Sequence, residues 1–306
     1  MRRILSVIAS IAGIAASHAA GTNAPSFELT LVDMQGVKKV LGTLSDPVFA
    51  PRVSPDGRKV AFEMIDADAS KEIGHQIEKI HTAELDKLDK PRMLQGTVIS
   101  RKNWAPVWSP DGKKIVLAAT GNAADSLFWT RSDGGIQPIY LLEAKAPESI
   151  YGDDLLVFLT LKGATDYGIS QLDMRSHKVT RLVDQPGSAQ YSSSISADAH
   201  WIAYASDETG RQEVWLEPLP TTGMRVQLTK NGGRHPEWSP DGKQIYFDQG
   251  GQMFRMSITT GADPKAGDPV ALPIKGFTQG DLTRQYDLMP DGKAFVMLFP
   301  VSAAAK

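Results

Sequence analysis

A turn motif that recurs about every 43 residues, each time followed by an apolar strand, predicts an all-β protein: a six-bladed β-propeller of four-stranded blades. The motif Ser-Pro-Asp-Gly and its looser copies begin at Ser54, Ser109, Ser196, Ser239 and Met289. The gaps between these starts are 55, 87, 43 and 50 residues, and 87 is close to twice 43. A degenerate copy is therefore expected near Gly152, where a shortened turn precedes the apolar run from Leu155 to Leu159.

The physical chemistry of the motif is that of a hairpin turn between the first two strands of a blade. Proline presets φ at the second turn position, aspartate tolerates the third, and glycine accepts the positive φ at which the next strand begins. A catalytic motif does not need so many copies. The repeated turn residues are therefore predicted to be structural: Asp56, Gly57, Asp111, Gly112, Asp241, Gly242, Asp291 and Gly292.

The first residues have the pattern of a secretory signal peptide. Met1-Arg2-Arg3 is followed by an apolar run from Ile4 to Ala16 and then by Ser17-His18-Ala19. An apolar run of this length is too short to span a bilayer, for which about 20 residues are needed. The sequence predicts a signal peptide over residues 1–19, cleavage after Ala19, and a free-standing exported propeller with no membrane span in the mature chain.

The two ends of the chain are predicted to complete one blade. The segment from Phe27 to Leu44 has the pattern of the last two strands of a blade, whereas the segment 284–300 supplies only the first two. Pairing them closes the ring and removes exposed sheet edges. A single domain over residues 20–306 is expected, with blades near 45–97, 103–143, 147–185, 191–230 and 234–273 and a composite blade from 284–300 with 27–44.

Composition excludes several classes of function. The chain has 33 basic and 35 acidic residues, so its net charge of −2 does not favour nucleic-acid binding. It has no cysteine, which excludes disulfides, thiol catalysis and cysteine-ligated zinc. Stability must come from the core of what is expected to be a monomer without a cofactor.

Three stretches carry a recognisable resemblance: "APVWSPDGKKIVLAAT", "HPEWSPDGKQIYF" and "WIAYASDETGRQEVWLEPLP". They are similar to the TolB-type β-propeller repeat. The order of "SDETGRQEVW", "GGRHPEWSPDGKQIYF" and "QYDLMPDGKAFVMLFP" resembles the exported propeller regions of some bacterial serine/threonine kinases. The resemblance covers nearly the whole mature chain and implies the fold. It also implies a range of roles, because propellers of this type serve as periplasmic binding proteins of the Tol-Pal system, as sensors and as accessory domains of peptidases.

Motifs for enzyme chemistry are missing from the sequence. No G-x-S-x-G or H-E-x-x-H occurs. The spacing of His75 and His81 would put both on one face of a strand, where they could form a metal pair, although exposed histidines are the simpler interpretation. The segment from Asp66 to Ile77 begins like a calcium loop but has Lys71 at the glycine position and Ile77 at the bidentate position. A charged insertion is the alternative there.

A binding site is expected where the innermost strands meet the central channel. Five residues before the aligned motif starts lie three aromatic residues and two arginines, and one arginine is followed by a histidine. The predicted channel rim for a partner is Phe49, Trp104, Tyr191, Arg234, His235 and Arg284. Aromatic residues and arginine are enriched in interface hot spots, although an aromatic residue at this position could instead pack between blades. The arginines are the stronger candidates, since a core rarely accommodates a guanidinium.

The leading hypothesis is an exported, non-catalytic propeller, periplasmic or secreted in a bacterium, that binds an envelope protein or peptide through one face of the channel. Two alternatives remain open. One is a sensor of a small ligand, and the other is a lyase or hydrolase with an active site in the channel. A converging metal or carboxylate cluster in the channel would favour the enzyme, and the inner-strand positions are not expected to supply one.

Overall fold

The computed structural model describes residues 27–94, 100–121, 124–152, 154–163 and 166–301, so the predicted signal peptide lies outside the described residues. In chain order the elements are β1 (Phe27–Asp33), β2 (Lys38–Leu44), β3 (Val48–Val53), β4 (Lys59–Ile65), α1 (Ala67–Ile73), β5 (Glu78–Glu84), β6 (Arg92–Met93), β7 (Asn103–Trp108), β8 (Lys114–Thr120), β9 (Asp125–Arg131), β10 (Ile139–Glu143), β11 (Ala146–Tyr151), β12 (Leu155–Leu161), β13 (Tyr167–Asp173), β14 (Lys178–Val183), β15 (Gln190–Ile195), β16 (Trp201–Ser206), β17 (Glu213–Pro218), β18 (Val226–Gln227), β19 (Arg234–Trp238), β20 (Gln244–Gln249), β21 (Gln252–Thr259), β22 (Lys265–Ala266), β23 (Val270–Lys275), β24 (Tyr286–Leu288) and β25 (Ala294–Pro300).

These strands form six antiparallel blades around a common axis, so the predicted six-bladed β-propeller is confirmed. Blade 1 contains β3–β6, blade 2 β7–β10, blade 3 β11–β14, blade 4 β15–β18 and blade 5 β19–β23. In blade 5 the outer position is divided, because β22 and β23 both pair with β21. The degenerate copy of the repeat near residue 152 is the turn that leads into β12, as predicted.

The closing blade joins the two ends of the described chain, in the strand order β2-β1-β25-β24. β1 pairs antiparallel with β25 along its full length, from Phe27 opposite Pro300 to Asp33 opposite Ala294. Leu29 of β1 is fully buried and packs in one apolar cluster with β25 and blade 1. The ring is therefore closed by hydrogen bonds and by apolar packing between distant parts of the sequence.

The repeated turns have nearly the same geometry at each position. In the first, the Ser54 hydroxyl donates to Asp56 at 2.6 Å and the Gly57 amide donates to the Ser54 carbonyl at 2.8 Å. The φ values of the turn glycines lie between 68° and 70°, as the turn type requires: Gly57, Gly112, Gly242 and Gly292. Serine and backbone donors lower the pKa of Asp56, an effect of turn geometry.

Turns of neighbouring blades also contact one another at the end of the channel. A Cβ atom on Gly292 of the closing blade would lie 2.9 Å from Cδ of Pro240 in blade 5. A Cβ atom on Gly112 of blade 2 would lie 3.7 Å from Cδ of Pro55 in blade 1. The motif thus serves packing between blades as well as the hairpin itself.

The insertion in blade 1 is a helix, where the sequence left a calcium loop or a charged insertion open. Asp66 caps α1, since its Oδ1 accepts a hydrogen bond from the Ala69 amide at 2.9 Å. Because residues 67–73 are helical, this segment does not form the calcium loop that was left open. His75 is exposed between α1 and β5, outside any strand, so it does not share a strand face with His81, and the metal pair considered as possible is contradicted. The simpler interpretation of two exposed histidines holds for His75 and is wrong for His81. His81 is buried in β5 and stacks on Phe62.

Candidate functional site

The innermost strands of four blades share a bulge where they begin. The bulge holds one residue at a positive φ between 47° and 53°: Ala50, Ala105, Ser192 and His235. Positive φ is uncommon for residues other than glycine and costs roughly 1–2 kcal/mol. We call this end of the central channel, marked by those four residues and Gln285, the channel mouth.

The bulges point backbone amides at the neighbouring blade. The Ala50 amide donates to Oε1 of Gln285 at 2.9 Å, and the Ala105 amide donates to Oε1 of Glu63 at 2.7 Å. The Ser193 amide donates to Glu148 of blade 3 at 3.0 Å. These hydrogen bonds connect adjacent blades and explain how the strained backbone is maintained.

The aromatic residues of the predicted rim lie between blades. Phe49 is half-buried and packs against Phe27, with ring centroids 6.3 Å apart. Trp104 and Tyr191 are 7% and 4% exposed and belong to one apolar cluster that spans blades 2 to 4. The Nζ atoms of Lys102 and Lys145 lie over the Trp104 ring, 5.3 and 5.2 Å from its centroid. Their position corresponds to the packing alternative considered from the sequence.

Two polar members of the predicted rim, Arg234 and His235, come together at the channel mouth. His235 is 1% exposed, and its Nδ1 lies 2.6 Å from Oδ1 of Asp248. Arg234 lies 3.3 Å from the other carboxylate oxygen of Asp248. The Tyr286 hydroxyl donates to the His235 carbonyl at 2.7 Å. Asp248 therefore contacts both of these side chains of β19.

The segment 279–284 crosses the channel mouth over these residues. Nε2 of His235 lies 3.2 Å from the Asp281 carbonyl oxygen. Both atoms that face the imidazole ring, Oδ1 of Asp248 and the Asp281 carbonyl oxygen, are hydrogen-bond acceptors. Gln279 and Asp281 of the segment are exposed, whereas Leu282 is half-buried against the cluster of blades 2 to 4.

Arg284, the last predicted rim residue, points along the channel away from the mouth. Its guanidinium lies 2.6 Å from Asp287 and 3.3 Å from Glu237. Arg52 of blade 1 donates to the Arg284 carbonyl at 3.1 Å. These four residues form a network of opposite charges inside the ring, which we call the channel cluster.

Burial changes the protonation of the carboxyl groups beside this cluster. Burial raises the pKa of Glu237 to about 8 against the opposing effect of Arg284. Burial likewise raises the pKa of Glu148 to about 7, although the hydrogen bonds from Ser193 lower it. Burial and the neighbouring Glu78 carboxylate raise the pKa of Glu63 well above its usual range. The channel can thus hold protons near neutral pH.

The inner-strand positions were not expected to supply converging carboxylates, and this expectation is wrong, because Glu237 and Asp287 both contact the Arg284 guanidinium. Arg52, Glu237 and Asp287 each lie two residues before an aligned motif start, so the repeat alignment contained this signal. Glu148 lies in the degenerate blade, where the alignment gives no reliable register. In the described ranges, no group of three or more histidine, aspartate or glutamate side chains could hold a metal ion. No helix in those same ranges is long and apolar enough to cross a membrane.

No family model matches the chain. An uncharacterized protein of Agrobacterium fabrum is 24% identical over 189 residues, which cover 47% of this chain and 64% of that protein. A candidate TolB of Agrobacterium tumefaciens has a TM-score of 0.67 at 15% identity, over 91% of this chain and 99% of the other.

Other solved structures share the fold at similarly low sequence identity. TolB of Acinetobacter baumannii has a TM-score of 0.56 at 17% identity, over 96% of this chain and 68% of the other. The tricorn protease has a TM-score of 0.59 at 15% identity, over 84% of this chain and 27% of the other. The fold therefore occurs both in TolB proteins and in a peptidase. At these identities the similarity establishes the fold alone, and the resemblance read from the repeats is confirmed at that level: the chain has a TolB-like six-bladed propeller fold.

Proposed function

We propose that this protein is an exported, non-catalytic propeller that binds an envelope protein or peptide at the channel mouth. The observation that carries the proposal is the set of hydrogen-bonding side chains there: the half-buried Arg234 and the buried His235 and Ser192. Arg234 and His235 are oriented by Asp248, and Ser192 is held by the bulge of β15. Rigid, oriented donors at one end of a closed ring are suited to binding a partner without a cofactor.

The segment 279–284 gives the mouth an accessible surface. The exposed side chains of Gln279 and Asp281 lie above the buried donors. A partner that approaches this end of the ring meets them first. Export is part of the proposal and depends on the residue pattern at 1–19.

In-cell photo-crosslinking tests the proposed function. A photoreactive residue replaces Gln279 in one variant and Asp281 in another, and the control replaces Val179, which is 52% exposed on the outer strand β14. A discrete protein captured from the mouth positions and not from Val179 is the expected result, with the protein found outside the cytoplasm on fractionation. Equal capture at all three positions, or none from the exported protein, would contradict the proposal.

The channel cluster, together with Glu148 beside it, favours one second function, the binding of a small polar ligand. Oε1 of Glu148 and Oε2 of Glu237 are buried and have no hydrogen-bond partner among the described residues. A ligand that pairs with them would stabilise the folded protein. A metabolite that raises the melting temperature of the wild type and not of Glu237→Gln would identify this function. A panel of metabolites is tested in this way. If none of them raises the melting temperature of the wild type more than that of Glu237→Gln, ligand sensing is rejected for that panel.

A further inference from the structure

The main chain of the segment 279–284 is held at the channel mouth by side chains from several blades. Nη1 of Arg234 donates to the Gly280 carbonyl at 3.1 Å, and Nε2 of His235 lies 3.2 Å from the Asp281 carbonyl oxygen. The Ser192 hydroxyl donates to the Leu282 carbonyl at 2.9 Å, and Arg52 donates to the Arg284 carbonyl at 3.1 Å. Four carbonyls within five residues are therefore bound by side chains of blades 1, 4 and 5.

This arrangement goes beyond what the connection between two blades requires. The segment links blade 5 to the closing blade, yet its Leu282 carbonyl is bound by Ser192 of blade 4. Residues 276–285 form the longest connection between blades that the structure describes completely. A shorter chain could join β23 to β24 without crossing the mouth.

The segment is recognised mainly through its backbone. Asp281 has an exposed side chain, and the exposed Gln279 accepts one side-chain hydrogen bond from Nη2 of Arg234 at 2.9 Å. Leu282 is the residue that packs against the apolar cluster. Hydrogen bonds to the main chain together with a side-chain pocket are a general means by which proteins bind peptides. The donors of the mouth are placed to bind the carbonyls of another peptide that bends as this segment does at residues 281–283.

We infer that the segment 279–284 occupies the channel mouth as an intramolecular peptide ligand, and that the partner is a short peptide that bends in the same way and is bound by the same side chains through its carbonyls after this segment moves away. The inference rests on the proposed function and names its partner class. It also explains why hydrogen-bond donors lie at the mouth of a channel that the protein itself covers.

The experiment uses a synthetic peptide of residues 278–284, capped at both ends, and two variants that displace the segment. In Gly280→Ala the new Cβ atom would lie 2.0 Å from the Thr283 carbonyl oxygen, so the segment must change conformation. In Leu282→Asp the apolar contact is lost and a charge is placed at the cluster. Both changes leave Arg234, His235 and Ser192 in place. Unchanged cooperative melting and a dispersed NMR spectrum establish that each variant is folded.

Binding is measured by NMR titration with millimolar peptide, since a tethered segment has an effective concentration on the millimolar scale. Both displaced variants should bind the peptide at least tenfold more tightly than the wild type, with shifts at Ser192 and His235. Adding Arg234→Ala should abolish binding, whereas adding Arg131→Ala, an exposed residue of blade 2, should not.

Two results would overturn the inference. One is the absence of shifts in both folded variants, and the other is equal binding by wild type and variants. Neither result affects the crosslinking test, in which a partner could still be captured at an unopened mouth. A failed peptide titration with successful crosslinking rejects the inference alone, whereas failed crosslinking with a positive titration rejects the proposed function.

Discussion

Replacing Glu148 with glutamine should make the stability of the propeller less dependent on pH. Burial raises the pKa of Glu148 from 4.5 to about 7. The folded protein therefore keeps a proton that the unfolded chain releases, and stability falls as the pH rises from about 4.5 through 7. Each pKa unit corresponds to about 1.4 kcal/mol, so the loss attributed to this carboxyl group amounts to roughly 3 kcal/mol. Glu148→Gln cannot ionise and lacks this loss.

Urea denaturation of wild type and Glu148→Gln at pH 5 and at pH 8 measures the effect. The free energy of unfolding of the wild type should fall more between these pH values than that of the variant, by roughly 2.5 kcal/mol, because pH 5 already lies above the pKa of the unfolded carboxyl group. Glu237, whose raised pKa acts in the same direction, is present in both proteins and largely cancels in the comparison. Parallel pH dependences in the two proteins would refute the assignment of a retained proton to Glu148.

Two further predictions concern the ring. Leu29→Ala should lower the free energy of unfolding by about 3 kcal/mol or more, because Leu29 is fully buried in the strand that closes the ring. The control Val40→Ala, at a site 51% exposed, should change the free energy of unfolding by less than about 0.5 kcal/mol in the same urea titration. Equal effects of the two substitutions would contradict closure through β1. Gly292→Ala should lower the melting temperature more than Gly242→Ala. Both glycines have a positive φ, but only the Cβ atom added at position 292 would lie close to a neighbouring turn, 2.9 Å from Cδ of Pro240. Equal melting temperatures of the two variants would show that the turns do not pack against each other.

Local sequence patterns predicted the fold because each copy of the repeat contains its own turn residues. The Pro-Asp-Gly turns and the apolar runs after them specify hairpins at a regular spacing, so blade number follows from the period. Closure by β1 was predictable because the strands near Phe27 lack a first half and those near Ala294 lack a second. The helix after Asp66 was not predicted, since its capping aspartate and polar residues also suit a loop.

The site was harder to predict because side-chain direction depends on the bulges. An inner strand with one extra residue changes which side chains face the channel. Trp104 therefore packs between blades, although its position in the alignment suggested the rim. Arg234 and His235 were proposed for the rim from their position in the alignment, which gave no signal for their partner Asp248 on the next strand. The segment 279–284 has no counterpart in the repeat, so alignment of the copies could not place it over the mouth.

Capture of a partner at the channel mouth, and its dependence on Arg234, tests the proposed function most directly. The photoreactive residue at position 281 is combined with Arg234→Ala or, as a matched control, with Arg131→Ala, which removes an exposed arginine of blade 2 that pairs with Asp133. Melting temperatures establish that both combined variants are folded and comparable. A partner that is captured in the Arg131→Ala background and lost in the Arg234→Ala background is the predicted result. Undiminished capture in the Arg234→Ala background would contradict a binding site built on Arg234 at the channel mouth.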